Sequence, residues 1–292
     1  MIQNTNLCVI IQTIKGFYME EKIKYKKCPY CELNYIPATD VCCRVCYRTS
    51  QIARQESISQ RNRKYELRRI KERQQQEIIR QKELELQRIQ ECENKKELLA
   101  IWKNFNFIGF LHTANFDNFV NIYKSKFLKS RKQLMSEGIV FEDNAEFTVL
   151  EKTLESVKSK VRFYYRPITP TNISAYMWHN QKNPVLIVFD ENLIFEREVL
   201  FCDGCAGSNL TTSTKTAKDA LRFNWKEIFS IGPFNTDDFV LKNHRNAEFL
   251  TNSQIPLERA IKFYFRNYKD YVNACELFGS DVRFEHNPKM FY

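Results

Sequence analysis

Glycine and proline are scarce, 7 and 8 residues in 292, and neither occurs between Gln51 and Trp102. A stretch that long without a breaker excludes turns and hairpins there. No apolar run approaches the roughly 20 residues that span a bilayer, so a helical anchor is excluded and a soluble, cytoplasmic protein without membrane contact is expected. Leu7 to Ile14 is apolar but broken by Gln12 and Thr13, with no basic start and no small-residue cleavage site, so a signal peptide is not expected. No Gly-x-Gly-x-x-Gly occurs either, and a dinucleotide would not sit on a Rossmann turn. The cysteines lack the even spread of a disulfide framework. Of ten, five (Cys28, Cys31, Cys42, Cys43, Cys46) crowd into nineteen residues, which indicates metal in a reducing compartment.

Cys28-Pro-Tyr-Cys31 and Cys43-Arg-Val-Cys46 form two Cys-x-x-Cys knuckles. Each tight turn points both sulfurs the same way, so the pair can present four thiolates tetrahedrally to one zinc ion. Cys42 could replace Cys43, but only Cys43 keeps the symmetric spacing. No open coordination position is implied, and the metal is expected to hold together a segment too short for its own core.

From about Gln51 to Trp102, Gln, Glu, Lys, Arg and Ile/Leu dominate, which predicts one long charged helix. Its apolar seam is thin. Ile58, Tyr65, Ile79 and Leu86 keep a seven-residue beat, but Glu72 interrupts it and Arg61, Arg68, Gln75 and Lys82 occupy the companion positions. A solvated spacer is the first reading, and a homodimer through this helix the second. Residues 1–104 hold 21 Lys/Arg against 13 Asp/Glu, whereas the remainder holds 24 against 22. An electrostatic grip on a polyanion therefore belongs mainly to the N-terminal third.

After Lys103 the composition turns Phe-rich and mixed. Strands are expected at Phe107–Leu111, Val185–Phe189, Val199–Phe201, Glu248–Leu250 and 261–265, and helices at Asp117–Tyr123, Asn172–Asn180, Trp225–Ser230 and Tyr268–Phe278. Without a regular β-α beat the fold class is α+β and not a doubly wound sheet. Four segments result: an uncertain N-terminal extension over residues 1–18, because Met19-Glu20-Glu21-Lys22 is the more typical start; a four-cysteine zinc-binding module over 19–50; the long helix over 51–103; and a larger domain over 104–292.

In that domain the stretch Lys242-Asn243-His244-Arg245-Asn246-Ala247-Glu248-Phe249-Leu250 is a charged loop entering a short apolar strand at an acidic residue. A carboxylate held stiff at a strand mouth, flanked by cations, is one way to place a catalytic anion in a cleft.

Arg245-Asn246-Ala247-Glu248-Phe249-Leu250 followed by Ile255-Pro256-Leu257-Glu258 resembles the signature of the DarT-type ADP-ribosyltransferases. Other blocks keep the family's order: Phe110-Leu111-His112-Thr113 with Asn118, Val161-Arg162-Phe163-Tyr164-Tyr165-Arg166-Pro167-Ile168-Thr169-Pro170, Phe201-Cys202-Asp203-Gly204-Cys205-Ala206-Gly207-Ser208, and Asn224-Trp225-Lys226-Glu227-Ile228. The resemblance implies a split-sheet ADP-ribosyltransferase domain that cleaves NAD and modifies a base of single-stranded DNA, as a toxin-like effector opposed by a macrodomain-type antagonist. It implies that Glu248 steadies the ribosyl cation and that His112, Thr113 and Asn118 hold the dinucleotide. Tyr164 or Tyr165 would stack on nicotinamide, with Tyr165 preferred because it directly precedes Arg166-Pro167. Asp203, Lys242, His244 and Arg245 would face the nucleic acid.

One departure concerns the family's acceptor-activating arginine. Before Arg162 only Arg131 is available in the interval, and Lys158 and Lys160 are not isosteric, so Arg131 is the candidate while the acceptor base, and DNA against RNA or protein, stay open. The rival reading is a zinc-ribbon nucleic-acid-binding protein whose C-terminal domain has lost catalysis.

Overall fold

The computed structural model describes residues 25–37, 42–141, 155–177, 183–233 and 237–291. The expected N-terminal extension and the end of the helix expected at Asn172–Asn180 lie outside them. The chain divides into two compact units, Met1–Lys82 and Glu83–Tyr292.

In the first unit, β1 (Tyr25–Lys27) and β2 (Tyr35–Pro37) pair antiparallel. The buried Cys28, Ile36 and Cys43 form its small core, with Cys31, Cys42 and Cys46 packed against it. Helix α1 (Arg44–Lys103) then begins and runs across the division between the units. From Tyr47 on, its unit-1 residues are exposed, Ile58, Tyr65 and Ile79 among them.

The expected boundary at residue 104 is displaced. Five α1 residues, Asn94, Lys95, Leu98, Leu99 and Trp102, are buried within the second unit, and Glu91 accepts the Ala217 N–H at 2.7 Å, at the start of a short helix described below. The last two turns of α1 are core, not spacer, because a Leu-Leu-x-x-Trp run at helical spacing supplies an apolar face that must be covered. Trp102 packs against Phe107, Phe110, Tyr165, Phe201 and Trp225 with centroids 5.0–6.4 Å away.

The rest of the second unit follows in chain order: β3 (Phe110–Asn115), α2 (Phe116–Ser125), β4 (Phe127–Lys129), α3 (Arg131–Ser136), α4 (Glu155–Lys158), β5 (Val161–Tyr164) and α5 (Pro170–Met177). Then come β6 (Pro184–Phe189), β7 (Leu200–Cys202), β8 (Ser213–Thr214), α6 (Ala217–Ala220), α7 (Trp225–Ile228), α8 (Phe239–His244) and β9 (Glu248–Thr251). Last are β10 (Gln254–Pro256), β11 (Ala260–Phe265), α9 (Tyr268–Phe278) and β12 (Phe284–His286).

The architecture is α+β, as expected. Eight strands form one sheet in the order β12-β11-β6-β3-β5-β9-β7-β8, and β4 and β10 make a separate pair. Strand β6, Pro-Val-Leu-Ile-Val-Phe, is buried at all six positions, as a strand covered on both faces must be. Six residue pairs join β3 to β6, but β3 meets β5 at the single pair Leu111↔Tyr164, so the sheet is split there. One face carries an aromatic core that includes Phe110, Phe163, Phe189, Phe201, Phe249 and Phe263. The alternate residues point to the other face, and these include Glu248.

Candidate active site

Glu248 opens β9 and is 1% exposed. Register places Leu111, Tyr164 and Glu248 in one row across β3, β5 and β9. Directly opposed residues share a face, so Tyr164, Glu248 and, two residues from Tyr164, Arg162 stand together. Phe163 and Phe249 alternate with them and fill the aromatic core behind. One nitrogen of Arg162, Nη2, donates to both Glu248 oxygens, at 2.6 Å to Oε1 and 2.7 Å to Oε2. The Ala206 N–H donates to Oε2 at 2.7 Å from the loop after β7. Burial disfavours the Arg162 charge, but the Glu248 carboxylate beside it prevails and its pKa rises. Burial, reinforced by Glu248, pushes the Tyr164 phenol up as well, so it stays a neutral donor.

The loop that supplies Ala206 is itself pinned. Asn243 on α8 accepts the Cys205 N–H at 3.2 Å and donates to Thr211 Oγ1 at 3.0 Å, while Thr211 donates to the Cys205 carbonyl at 2.6 Å. A Cβ on Gly204 would stand 2.0 Å from Asn243 Nδ2, which explains glycine in the Asp-Gly turn. Asp203 bonds the Thr212 N–H at 2.7 Å and so closes this loop. Burial pushes the Cys202 and Cys205 thiols up, with Glu248 adding to both, so neither is a thiolate here.

Several expected roles move. His112 lies one residue off the row, so its ring is on the opposite face from Glu248, edge-on to Phe163 and bonded through Nδ1 to the Arg162 carbonyl at 3.1 Å. A shift of one residue in a strand reverses the face, and the positions on the Glu248 side are Leu111 and Thr113. Thr113 accepts from Asn172 Nδ2 at 3.1 Å. Asn118 lies past the end of β3, where its N–H is capped by Asn115 Oδ1 at 2.8 Å. Tyr165 is 1% exposed, inside the core against Trp102 and Trp225. Of the two tyrosines, Tyr164 and not Tyr165 stands beside Glu248.

Arg131 begins α3, and the preceding Ser130 bonds the Ser253 carbonyl, beyond the end of β9 that lies away from Glu248. The arginine on Glu248 is Arg162. Lys158 and Lys160 pair with Glu155 and Glu198.

In the expected substrate-reading loop, Lys242 is exposed, whereas His244 holds Glu227 at 2.7 Å. Arg245 is buried, donating to Ser230 Oγ at 3.0 Å and the Gly232 carbonyl at 2.6 Å. Arg166 grips the same turn through the Ile228 and Ser230 carbonyls, and burial, with Arg245 nearby, pushes its pKa down to about 10. Arg245 thus serves the fold. Arg245→Ala is expected to cost about 2 kcal/mol of stability by orphaning buried acceptors, read as a lower urea midpoint. A change in nucleic-acid affinity with unchanged stability would contradict this.

In the first unit the Sγ atoms of Cys28, Cys31, Cys43 and Cys46 all lie within 4.8 Å of one another, with Cys31 to Cys43 at 3.8 Å. Zinc–thiolate bonds of about 2.3 Å set tetrahedral sulfur separations near 3.8 Å, so the donor set fits that ion. The Cys43 N–H donates to Cys28 Sγ at 3.3 Å and the Cys46 N–H to Cys43 Sγ at 3.4 Å. The latter bond draws the Cys43 thiol down to about 6.

A split, mainly antiparallel sheet that presents one clamped carboxylate at the mouth of a strand has the make-up of an NAD-dependent ADP-ribosyltransferase. Residues 111–292 match the family model of DarT, ssDNA thymidine ADP-ribosyltransferase, and the chain belongs to that family. Among solved structures the fold is similar to Thermus sp. 2.9 DarT in complex with ADP-ribosylated ssDNA (TM-score 0.53, 14% identity, 63% of this chain and 95% of that one). It is also similar to the Thermus protein in complex with NAD+ (TM-score 0.50, 13% identity, 63% and 96%). Thermosipho africanus DarTG in complex with ADP-ribose matches as well (TM-score 0.54, 15% identity, 63% and 50%). At these identities the likeness concerns the fold. No curated protein matches the chain. Among the described residues no helix is long and apolar enough to cross a membrane.

Proposed function

We propose that this chain transfers a single ADP-ribosyl group from NAD to a thymidine base of single-stranded DNA, with Glu248 as the catalytic carboxylate. The observation that carries this is the buried Glu248, held by Arg162 and the Ala206 N–H inside the family-matched segment. Breaking the bond between nicotinamide and ribose C1′ leaves positive charge on the ribose, and a fixed anion at the 2′-hydroxyl lowers that barrier. The acceptor base then forms the new bond to C1′ and gives up its proton. Tyr164 and Thr113, on the Glu248 face, line the dinucleotide site, and the exposed Lys242 meets the DNA backbone.

The acceptor is read from the family description, supported by the Thermus complex with modified ssDNA. Mass spectrometry of nucleosides from DNA incubated with the protein and NAD is expected to show ADP-ribosyl-thymidine. Label on guanine, adenine, RNA or protein alone would overturn that choice.

The four thiolates of Cys28, Cys31, Cys43 and Cys46 hold one structural zinc, which supplies crosslinking and no chemistry. Metal analysis should give about one zinc per chain, falling to background in Cys28→Ser with Cys46→Ser. Zinc retained in that double variant would refute the site. Exposed apolar residues of α1, Ile58, Tyr65 and Ile79, support self-association through the helix. A macrodomain-type hydrolase is the fitting antagonist, supported by the DarTG neighbour, of which this chain covers half.

A further inference from the structure

Arg162 belongs to the Val161–Pro170 block but stands immediately before Phe163-Tyr164-Tyr165, the aromatic residues that carry its resemblance, so that motif does not itself announce the contact with Glu248. The two strands that bear the pair are neighbours, and the contact runs diagonally, from one residue beside Leu250 to one beside Tyr164. Glu248 thus sits in the middle strand of three, gripped by β5 on one side and by the loop after β7 on the other.

A carboxylate offers roughly four acceptor positions. Oε2 receives two donors, Arg162 Nη2 and the Ala206 N–H, while Oε1 receives Arg162 Nη2 alone. With both ends of the group tied, its rotation about the last bond is fixed and one Oε1 position is left for a hydroxyl donor.

We propose that Arg162 is the positioning residue of this transferase, acting through Glu248 to hold its carboxylate turned so that Oε1 meets the ribose 2′-hydroxyl. This rests on the reading of Glu248 as the catalytic carboxylate. Two features favour a working pair over a merely structural one. The side chain of Arg162 is 30% exposed against 2% for Glu248, so the guanidinium is the part of the pair that opens to solvent. A single nitrogen makes both carboxylate contacts, so the planar fork that distinguishes arginine from lysine is not in use at Glu248. An ammonium could take the same place. The remaining side-chain contact of Arg162 among the described residues is again through Nη2, to Cys205 Sγ at 3.7 Å.

The test is a mutant cycle on the full-length protein, reading NAD cleavage and transfer to a thymidine-containing oligonucleotide, with thermal unfolding as the check on folding. Arg162→Met should lower kcat by about thirty-fold, the scale of a misoriented catalytic group, with KM for NAD changed less than about threefold. Arg162→Lys should recover to within about fivefold of the parent, because one nitrogen suffices. In a Glu248→Gln background, Arg162→Met should cost nothing more, since a residue that acts through a partner has no effect once the partner is gone.

Additive losses in the double variant, no recovery by lysine, or an Arg162→Met protein at or above the parent rate would each overturn the proposal. If Arg162→Met does not fold, Arg162→Lys alone decides: a loss as large as that of Glu248→Gln overturns the proposal, and retained activity supports it. Failure of the underlying reading looks different, because Glu248→Gln itself would then turn over at the parent rate.

Discussion

Glu248→Gln is expected to lower ADP-ribosyl transfer by about two orders of magnitude or more while leaving NAD affinity nearly unchanged, on the order of 3 kcal/mol of lost transition-state stabilisation. Glutamine keeps the shape and can still accept the Ala206 N–H, so the loop after β7 has no reason to move. It removes the charge that opposes the cation on C1′, and that charge matters only once the glycosidic bond is breaking. Arg162 loses its counter-ion in this variant. Being partly exposed, it can turn to water, which limits the stability cost. Single-turnover transfer from labelled NAD, set beside a direct NAD binding isotherm, separates the two effects. Transfer at the parent rate would remove Glu248 from the chemistry.

A chain that begins at residue 105 is expected not to fold, and one that begins at Glu83 is expected to fold and transfer ADP-ribose. The shorter version loses Leu98, Leu99 and Trp102, all buried, and leaves a void where five aromatic rings converge. Removing the Trp102 side chain alone, as Trp102→Ala, should cost roughly 3–5 kcal/mol, a large share of the 5–15 kcal/mol that typically stabilises a domain. Phe110, Tyr165 and Phe201 line that void, and behind them β3, β5 and β7 carry the site. Circular dichroism melting of the two truncations checks the expectation directly. A cooperative transition at the same temperature in both would place the boundary at residue 104 after all.

The sequence by itself determined the parts whose signals are local. Two Cys-x-x-Cys knuckles eleven residues apart identified four sulfurs that the fold gathers, with Cys43 and not Cys42 in the cluster. The absence of Gly and Pro marked α1 within a few residues at its end, and the apolar run before Pro256 placed Glu248 at the head of its strand. The α+β class followed from the irregular succession of strands and helices.

Only the tertiary structure decided which side chains meet, because cross-strand register is not written in any one segment. Leu111↔Tyr164 and Tyr164↔Glu248 set Tyr164 beside the carboxylate and turned His112 and Tyr165 away from it. The same register brought Arg162 across 86 positions of chain to Glu248. Arg245 reads in sequence as a loop cation, yet its guanidinium is spent on the Ser230–Gly232 turn. Trp102 looked like the end of a solvated helix and proved to be the middle of a core. Charge and periodicity describe a residue's preference for water or oil, but long-range packing chooses the partner, and in this protein the partners make the site.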